Sequence, residues 1–168
     1  MKAPSFKGYR PSSPASSRAK QANPPRDTRP ERLLRRTLWK LGLRFRTHAS
    51  DLPGCPDIVV RRVKIAVFCD GDFWHGRRWP ALRRALQRRA NPSYWVAKIG
   101  SNRLRDARSR RRLRRLGWRV IGLWESDIQR DPKGAALAVK AEVDSRLKKV
   151  AKGSDAQRRT TPRRGSTA

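Results

Sequence analysis

Acidic residues are scarce in this chain of 168 residues, which contains 13 Asp and Glu against 43 Lys and Arg. The resulting formal net charge of +30 destabilises a compact fold by self-repulsion unless a polyanion neutralises it. Nucleic acid is the natural polyanion, since displacing counterions from phosphates drives non-specific binding. A membrane surface is the alternative, but the arginines are spread through the chain rather than grouped beside an apolar anchor.

Cysteines and long apolar runs are also scarce. The two cysteines, Cys55 and Cys69, lack CxxC spacing, which excludes a disulfide scaffold or a zinc knuckle. Apolar runs of only a few residues exclude a transmembrane helix, and no apolar segment follows the first Lys as in a signal peptide. We therefore expect a cytoplasmic protein that is associated with the nucleoid when bound to DNA.

Composition divides the chain into three segments. Residues 1–26 are rich in Pro, Ser, Lys and Arg, and we expect them to form a disordered basic arm because they contain almost no large apolar side chains. Residues 151–168 are similar and are predicted to be a disordered basic tail. The predicted folded domain, 27–150, keeps a large excess of basic residues, so the basicity is not confined to the ends.

Hydrophobic periodicity predicts an α/β fold, a sandwich with a central mixed sheet flanked by helices. The first helix begins near Thr28, where Thr28 and Glu31 have the spacing of a capping box, and it ends at Gly42. Strands are predicted over 43–47, 57–60, 64–69 and 118–124, and further helices over about 93–116 and 134–149.

Two carboxylates lie where these strands begin or end. Asp57 opens a strand after Pro56, and Asp70 ends the next strand, so a hairpin would bring them together. Convergent carboxylates can hold a divalent ion, which polarises a phosphoryl oxygen and activates water for phosphodiester hydrolysis. The alternative is that both are turn residues beside Pro and Gly. In so basic a chain we favour the catalytic interpretation.

A third carboxylate, Asp106, shares one face of the predicted helix with Ile99 and Leu113. A carboxylate facing inward needs a partner, which is either a buried Arg or a functional group at the sheet end. The arginine-rich stretch 103–115 contains no Glu, which favours phosphate contact over a solvated helix face.

The loop Phe73-Trp74-His75 places two large aromatics beside Gly76. Such a pair is usually part of a core, but in a nuclease it can also unstack a base step. His75 is a candidate general base, general acid or simply a hydrogen-bonded loop residue, and His48 has no evident partner.

Five groups of residues form a combination more specific than any of its parts. They are Asp27-Thr28 with Glu31 and Phe45-Arg46; Leu52-Pro53-Gly54 with Pro56-Asp57; Val67-Phe68 with Asp70-Gly71 and Phe73-Trp74-His75; Tyr94-Trp95 with Lys98-Ile99-Gly100, Asn102 and Arg105-Asp106; and Leu116-Gly117-Trp118-Arg119-Val120 with Trp124-Glu125. In this order they resemble the very-short-patch-repair (Vsr) mismatch endonucleases, and the resemblance covers about residues 27–128.

The resemblance implies a restriction-endonuclease-like three-layer sandwich and a Mg²⁺-dependent nick of one DNA strand beside a T:G mismatch. It implies that Asp57 is the main metal ligand, that the backbone carbonyl of Cys69 is another, and that Glu31 holds metal-bound water. His75 would act at the scissile phosphate, on the leaving group or a bound water, and Asp106 would support it.

The chain departs from the family pattern at two places. Where the best-known members have a histidine proposed to activate water, this chain has Asp70, which is either the base or a second metal ligand. The counterparts of the family's zinc ligands are Asp72, the Arg77–Arg78 region and Ser126, none of them soft, so no structural zinc is expected. An ion pair of Asp72 with Arg77 or Arg78 is predicted to tie the loop instead.

The expected partner is double-stranded DNA, bound by a monomer, and mismatch-repair proteins are further candidate partners. Two alternatives stay open: a Vsr-like site-specific or homing-type nickase without mismatch specificity, and a non-catalytic nucleic-acid-binding protein on a degenerate nuclease fold. The predicted DNA contacts are the wedge Phe73 and Trp74 together with Asn102, Arg103, Arg105 and Arg108.

Overall fold

The structure is a computed structural model that describes residues 26–159, with side chains described to residue 152. The predicted N-terminal arm therefore lies outside the described residues, apart from Arg26, as do residues 160–168.

A four-stranded mixed sheet forms the centre of the domain, in the order β1 (Arg46–Thr47), β2 (Ile58–Val60), β3 (Ile65–Asp70) and β4 (Arg119–Trp124). The first three strands pair antiparallel, and β3 pairs parallel with β4. Four of the six residues of β3 are buried, because the strand lies inside the sheet and its side chains contact helices on both faces. Its end, at Asp70, is one margin of the candidate site.

Helix α1 (Arg29–Lys40) begins at Thr28 through a complete capping box with Glu31, and Pro30 occupies its first turn. Leu34 and Leu38 lie one turn apart on its inner face and are fully buried. Burial of two leucines contributes roughly 1.5–3 kcal/mol each. The helix begins beside Thr28 and ends just before Gly42, as the sequence predicts.

Helices cover both faces of the sheet. One core cluster joins Ile58, Ile65 and Val67 of the sheet to α1, α4 (Glu125–Arg130) and α5 (Pro132–Arg159). The opposite face packs Val59 and Ala66 against α3 (Pro92–Arg115), which with α2 (Trp79–Leu86) connects β3 to β4. The result is the three-layer sandwich expected from the sequence. No described helix is long and apolar enough to cross a membrane.

The sequence prediction was wrong at several boundaries. It missed α2, in which only Leu86 is buried, and the short α4, because both are too short for a clear helical period. The basic turn after β2 is a 3₁₀ turn (Arg61–Val63), and the predicted strand 43–47 pairs only over its last two residues. Helix α5 continues to Arg159, well beyond the expected end of the domain at residue 150.

Candidate active site

A cavity of about 840 Å³ lies between the start of α1, the sheet margin at Asp57 and Asp70, and the middle of α3. The turn before β2 closes one side of it. A Cβ on Gly54, whose φ is +79°, would come within 2.8 Å of the Ser109 Cβ, so glycine permits the close approach of this turn to α3. Eight residues singled out from the sequence line the cavity: Glu31, Asp57, Cys69, Asp70, Trp74, His75, Arg105 and Asp106.

The hairpin of β2 and β3 fixes Asp57. The Asp57 backbone N–H donates to the Val67 carbonyl at 3.0 Å, and the Asp57 Oδ2 accepts from the Cys69 amide at 2.7 Å. Burial raises the pKa of Asp57 to about 6, the Cys69 amide acts in the opposite direction, and the charge of Glu31 adds to the rise. A nearby cation would favour the charged form of this carboxylate and lower its pKa again. Burial also raises the pKa of the Cys69 thiol, which keeps the sulfur protonated at neutral pH.

Glu31 is held by the helix start. Its Oε1 accepts from the Thr28 hydroxyl at 2.7 Å and its Oε2 accepts from the Asp27 amide at 3.0 Å. The residue is only 4% exposed, so its carboxylate has little freedom. A single side chain therefore caps α1 and places a negative charge beside Asp57.

His48 belongs to the site, although the sequence showed no partner for it. Its Nε2 lies 3.3 Å from the Asp27 Oδ1 and 3.9 Å from the Glu31 Oε2, and these three residues bring possible metal-ligand atoms within 4.8 Å of one another. Arg35 donates to Asp27, and its Nη1 lies 3.5 Å from the His48 ring. Hydrogen bonds from Arg35 and His48 lower the pKa of Asp27. The protein's own Arg35 thus supplies positive charge to this trio.

The signal for His48 was in the strand pairing. Thr47 is the register partner of Ile58, and the His48 amide donates to the Asp57 carbonyl at 3.2 Å. A hairpin register predicted for β1 and β2 would therefore have placed His48 beside Asp57.

His75 and Asp106 form a close pair in the cavity, with 2.6 Å between Nδ1 and Oδ2. Burial acts to lower the pKa of His75, but the hydrogen bond and charge of Asp106, with the charge of Asp70, outweigh it and leave the pKa raised. Burial acts to raise the pKa of Asp106, and the bond from His75 reverses this. Of the two alternatives for the partner of Asp106, the structure shows a histidine of the loop after β3 and not a buried arginine. The contact occupies Nδ1 and leaves Nε2 as the ring nitrogen for further chemistry.

Asp70 has a different environment from the one expected of a metal ligand. It is 3% exposed, and its Oδ1 and Oδ2 lie 2.6 and 2.5 Å from the Arg110 Nη2. The guanidinium of Arg110 also stacks over Phe68, 5.1 Å from the ring centroid. Arg110 was assigned with its neighbours to phosphate contact, whereas here it neutralises a buried carboxylate. The Asp70 Oδ1 lies 3.6 Å from the His75 Nδ1, so Asp70 stays within the same group of side chains.

The aromatic loop packs against a second aromatic pair. Phe73 lies edge-on to Trp74 and Trp95, with ring centroids 5.2 and 5.5 Å apart, and Tyr94 lies edge-on to Trp95. Asn102, predicted to contact DNA, is 7% exposed and donates to the Trp74 carbonyl at 3.1 Å. That expectation needs correction, because its amide supports the loop from within.

The three predicted DNA-contacting arginines of α3 lie in different places. Arg105 lines the cavity with its guanidinium 3.5 Å from Asp106. Arg103 extends over the ring of Trp79, 5.2 Å from its centroid, and faces a second cavity. Arg108 is exposed and lines neither.

Ion pairing ties the loop after β3 to α4. Arg77 donates to the Asp72 Oδ1 at 3.1 Å and to Asp127 at 3.0 Å, and Ser126 donates to Asp72 through its hydroxyl at 3.1 Å. The Glu125 carboxylate accepts from the Asp72 amide at 2.9 Å. The predicted Asp72–Arg77 pair is confirmed. Ion pairs and hydrogen bonds therefore join the positions that are the expected counterparts of the family's zinc ligands.

The donor set of the cavity suits a hard divalent cation. Asp57, Glu31 and Cys69 line the cavity, and their carboxylates and backbone carbonyl are oxygen donors of the kind that Mg²⁺ prefers. Burial and the charge of Glu31 raise the pKa of Asp57, and a bound cation would offset both effects. These residues therefore fit the ion that the resemblance implies.

Comparison with known proteins identifies the family of the chain. Residues 13–81 match the family model described as DNA mismatch endonuclease Vsr. The chain is 37% identical over 123 residues to the type II nicking enzyme V.NmeDIP of Neisseria meningitidis serogroup C, covering 73% of this chain and 82% of that protein. It is 35% identical over 119 residues to the type II nicking enzyme V.HpaIIP of Haemophilus parainfluenzae, covering 71% and 83%. With the DNA mismatch endonuclease Vsr of Escherichia coli K12 it shares 38% identity over 104 residues, covering 62% and 65%.

Proposed function

Because the chain belongs to the Vsr family of DNA endonucleases, we propose that it cuts one strand of duplex DNA with Mg²⁺, at or near a T:G mismatch. The observation that carries this proposal is the convergence of Asp57, Glu31 and the His75–Asp106 pair on one cavity. Metal-assisted hydrolysis of a phosphodiester uses a carboxylate-bound cation and a proton donor, and these residues can supply the ligands and the donor.

Asp57 and the Cys69 carbonyl would hold the ion directly, and Glu31 would hold its water. When bound, the ion supplies charge to the phosphoryl oxygens and lowers the pKa of an attacking water. Thr28 keeps the Glu31 carboxylate facing the cavity, and the Cys69 amide does the same for Asp57. The protein contribution is a fixed set of oxygens.

His75 is the proposed proton donor to the leaving oxygen. Its bond to Asp106 fixes the ring, and the raised pKa keeps a larger share of the imidazole protonated near neutral pH. The free Nε2 can then deliver a proton as the phosphorus–oxygen bond breaks. Asp106 contributes by orienting and charging this ring, as a carboxylate does in catalytic triads.

The DNA would approach across α3 and the aromatic loop. The half-buried Phe73 and Trp74 are proposed to enter the base stack, and Arg103, Arg105 and Arg108 to contact phosphates. We propose that the protein acts as a monomer in the cytoplasm, on nucleoid DNA, with mismatch-repair proteins as candidate partners.

Of the three relatives described above, two are named as nicking enzymes and one as a mismatch endonuclease. Those names support a cut in one strand. They also keep site-specific nicking of matched DNA as a second candidate, which a choice of substrates can test.

The experiment uses the full chain with end-labelled duplexes that differ only by a T:G or a T:A pair, in Mg²⁺ and in EDTA. We expect a nick in one strand of the T:G duplex in Mg²⁺ alone, and none from Asp57→Ala. Asp51→Ala is the matched control, because Asp51 is an exposed carboxylate paired with Arg61 away from the cavity. Equal cutting by the Asp57 variant would refute the assigned site, and equal cutting of both duplexes would favour the second candidate.

A further inference from the structure

A second cavity, of about 460 Å³, lies on the other side of His75. Four residues line both this cavity and the candidate active site, and they form a wall between the two: Asp70, His75, Asp106 and Arg110. A group bound in the second cavity would therefore be the immediate neighbour of a group bound at the active site.

The second cavity is strongly positive. Apart from the shared wall, its charged lining consists of Arg103, Arg111 and Arg114. Both carboxylates in the wall already have partners, Asp70 in Arg110 and Asp106 in His75. We call this cavity the arginine pocket.

Two arginines of the arginine pocket have no carboxylate partner among the described residues. Within the described part of the chain, the ion pairs made by arginines of α3 belong to Arg105 and Arg110. Arg111 and Arg114 are exposed, and no described carboxylate pairs with either. An exposed guanidinium without a carboxylate partner keeps its planar set of donors for a phosphate, which it can bind through two hydrogen bonds.

The geometry of α3 gives the pocket a direction. Arg103, Arg110 and Arg114 are separated by seven and four residues, so they form one stripe along the helix, about 16 Å long at 1.5 Å per residue. Arg112 and Arg115 belong to the same helix but line neither cavity. A stripe of this length along the pocket suits a chain of phosphates better than a single small anion.

We propose that the arginine pocket binds a backbone phosphate of the DNA that flanks the scissile phosphate, through Arg111 and Arg114. This inference rests on the proposed function, because it assumes that the scissile phosphate lies in the neighbouring cavity. The pocket holds the strand in register past His75 and takes no part in bond breaking. Arg111 and Arg114 are thus positioning residues for the DNA.

The first test measures binding alone, with the full chain in EDTA and a fluorescent duplex titrated at several salt concentrations. Each phosphate contact contributes about 0.9 to the slope of log K against log salt. Because both arginines are proposed to bind one phosphate, we expect Arg111→Gln/Arg114→Gln to reduce that slope by about 0.9. Arg112→Gln/Arg115→Gln removes the same charge from the same helix and is expected to change it by much less. Equal reductions in the two variants, or no reduction in either, would overturn the proposal.

The second test identifies the phosphate. Single phosphates of the duplex are replaced in turn by neutral methylphosphonates, and binding is measured again in EDTA. One replacement should weaken wild-type binding several-fold yet have no effect on Arg111→Gln/Arg114→Gln, while the Arg112/Arg115 variant responds like wild type. If every replacement weakens all three proteins equally, the pocket holds no particular phosphate and the proposal fails.

These readouts do not depend on nicking, so the two proposals can fail separately. Absence of a nick in Mg²⁺ would remove the proposed function but leave the salt slope and the phosphate map to be judged on their own. A mapped phosphate that lies far from the nick would overturn the inference and leave the nuclease intact. Thermal melts of both double variants, whose substituted residues are exposed, check that the fold is unchanged.

Discussion

Replacement of Asp57 by Asn will make the metal-free protein more stable while it abolishes nicking. The raised pKa of Asp57, about 6 against an ordinary value of 3.8, means that the fold disfavours the charged form. By linkage this disadvantage is about 3 kcal/mol above pH 6, where the carboxylate is ionised in both folded and unfolded chains. Partial exposure of the side chain reduces the value, and we expect a gain of about 1–3 kcal/mol for the amide. Asn can still accept the hydrogen bond from the Cys69 amide.

The pH dependence of this gain distinguishes it from a packing effect. Because the folded pKa lies above the unfolded one, the gain appears as pH rises from 4 to 6 and is complete above pH 6. At pH 4 it falls to about 0.5 kcal/mol, since most of the folded chains then carry a protonated Asp57. Urea unfolding of wild type and Asp57→Asn at intervals from pH 4 to pH 8 measures it directly.

Added Mg²⁺ provides the second half of the test. At about ten times its dissociation constant the ion adds about 1.4 kcal/mol to the wild type and nothing to a variant that cannot bind it. The difference in free energy of unfolding between Asp57→Asn and the wild type should therefore be smaller in Mg²⁺. A variant no more stable than wild type at pH 8, or a gain that persists unchanged at pH 4, would refute the argument.

Three further predictions concern the supports of the site. Arg110→Met leaves the buried Asp70 charge unpaired and is expected to cost about 3–5 kcal/mol, whereas adding Asp70→Asn should recover most of it; a double-mutant cycle by urea unfolding that shows additive losses would contradict this. Thr28→Val removes the hydroxyl that holds Glu31 and is expected to cost about 1 kcal/mol and to slow nicking, with Thr28→Ser restoring both; a Thr28→Val enzyme with wild-type kcat would separate the helix cap from catalysis. The purified protein should contain no stoichiometric zinc by elemental analysis, and Arg77→Met should lower its melting temperature by several degrees, which a zinc-tied loop would not show.

Local chemistry explains what could be predicted from the sequence. The start of α1 depends on residues three apart, Thr28 and Glu31, so the capping box was visible without any tertiary information. The β2–β3 hairpin follows from two short apolar runs that a basic turn separates, and it correctly brought Asp57 and Asp70 to one margin.

The partners of these carboxylates could not be predicted in the same way. Arg110 is forty residues from Asp70 and is one of several arginines in a row. Which of them reaches the sheet depends on the rotation of α3 about its axis, which is set by the packing of Ile99 and Leu113. The sequence pattern gave the inward face but left the choice of arginine open.

Helices α2 and α4 were missed because their stability comes from what they contact. Ile128 is fully buried in the main core cluster, yet α4 is only six residues long and shows no period of its own. Arg77 is bonded to both Asp72 and Asp127, so the loop and the short helix stabilise each other. Such mutual dependence has no signature within either segment.

The candidate active site draws its groups from separate parts of the fold, with Glu31 at the start of α1, Asp57 before β2, His75 in the loop after β3 and Asp106 in α3. A chain with a charge of +30 will adhere to DNA whether or not it is folded. Cutting, in contrast, requires both helices to be docked on the sheet at once. A nascent or partly unfolded molecule would therefore bind genomic DNA without cutting it. Strand cleavage would be confined to copies that had completed folding.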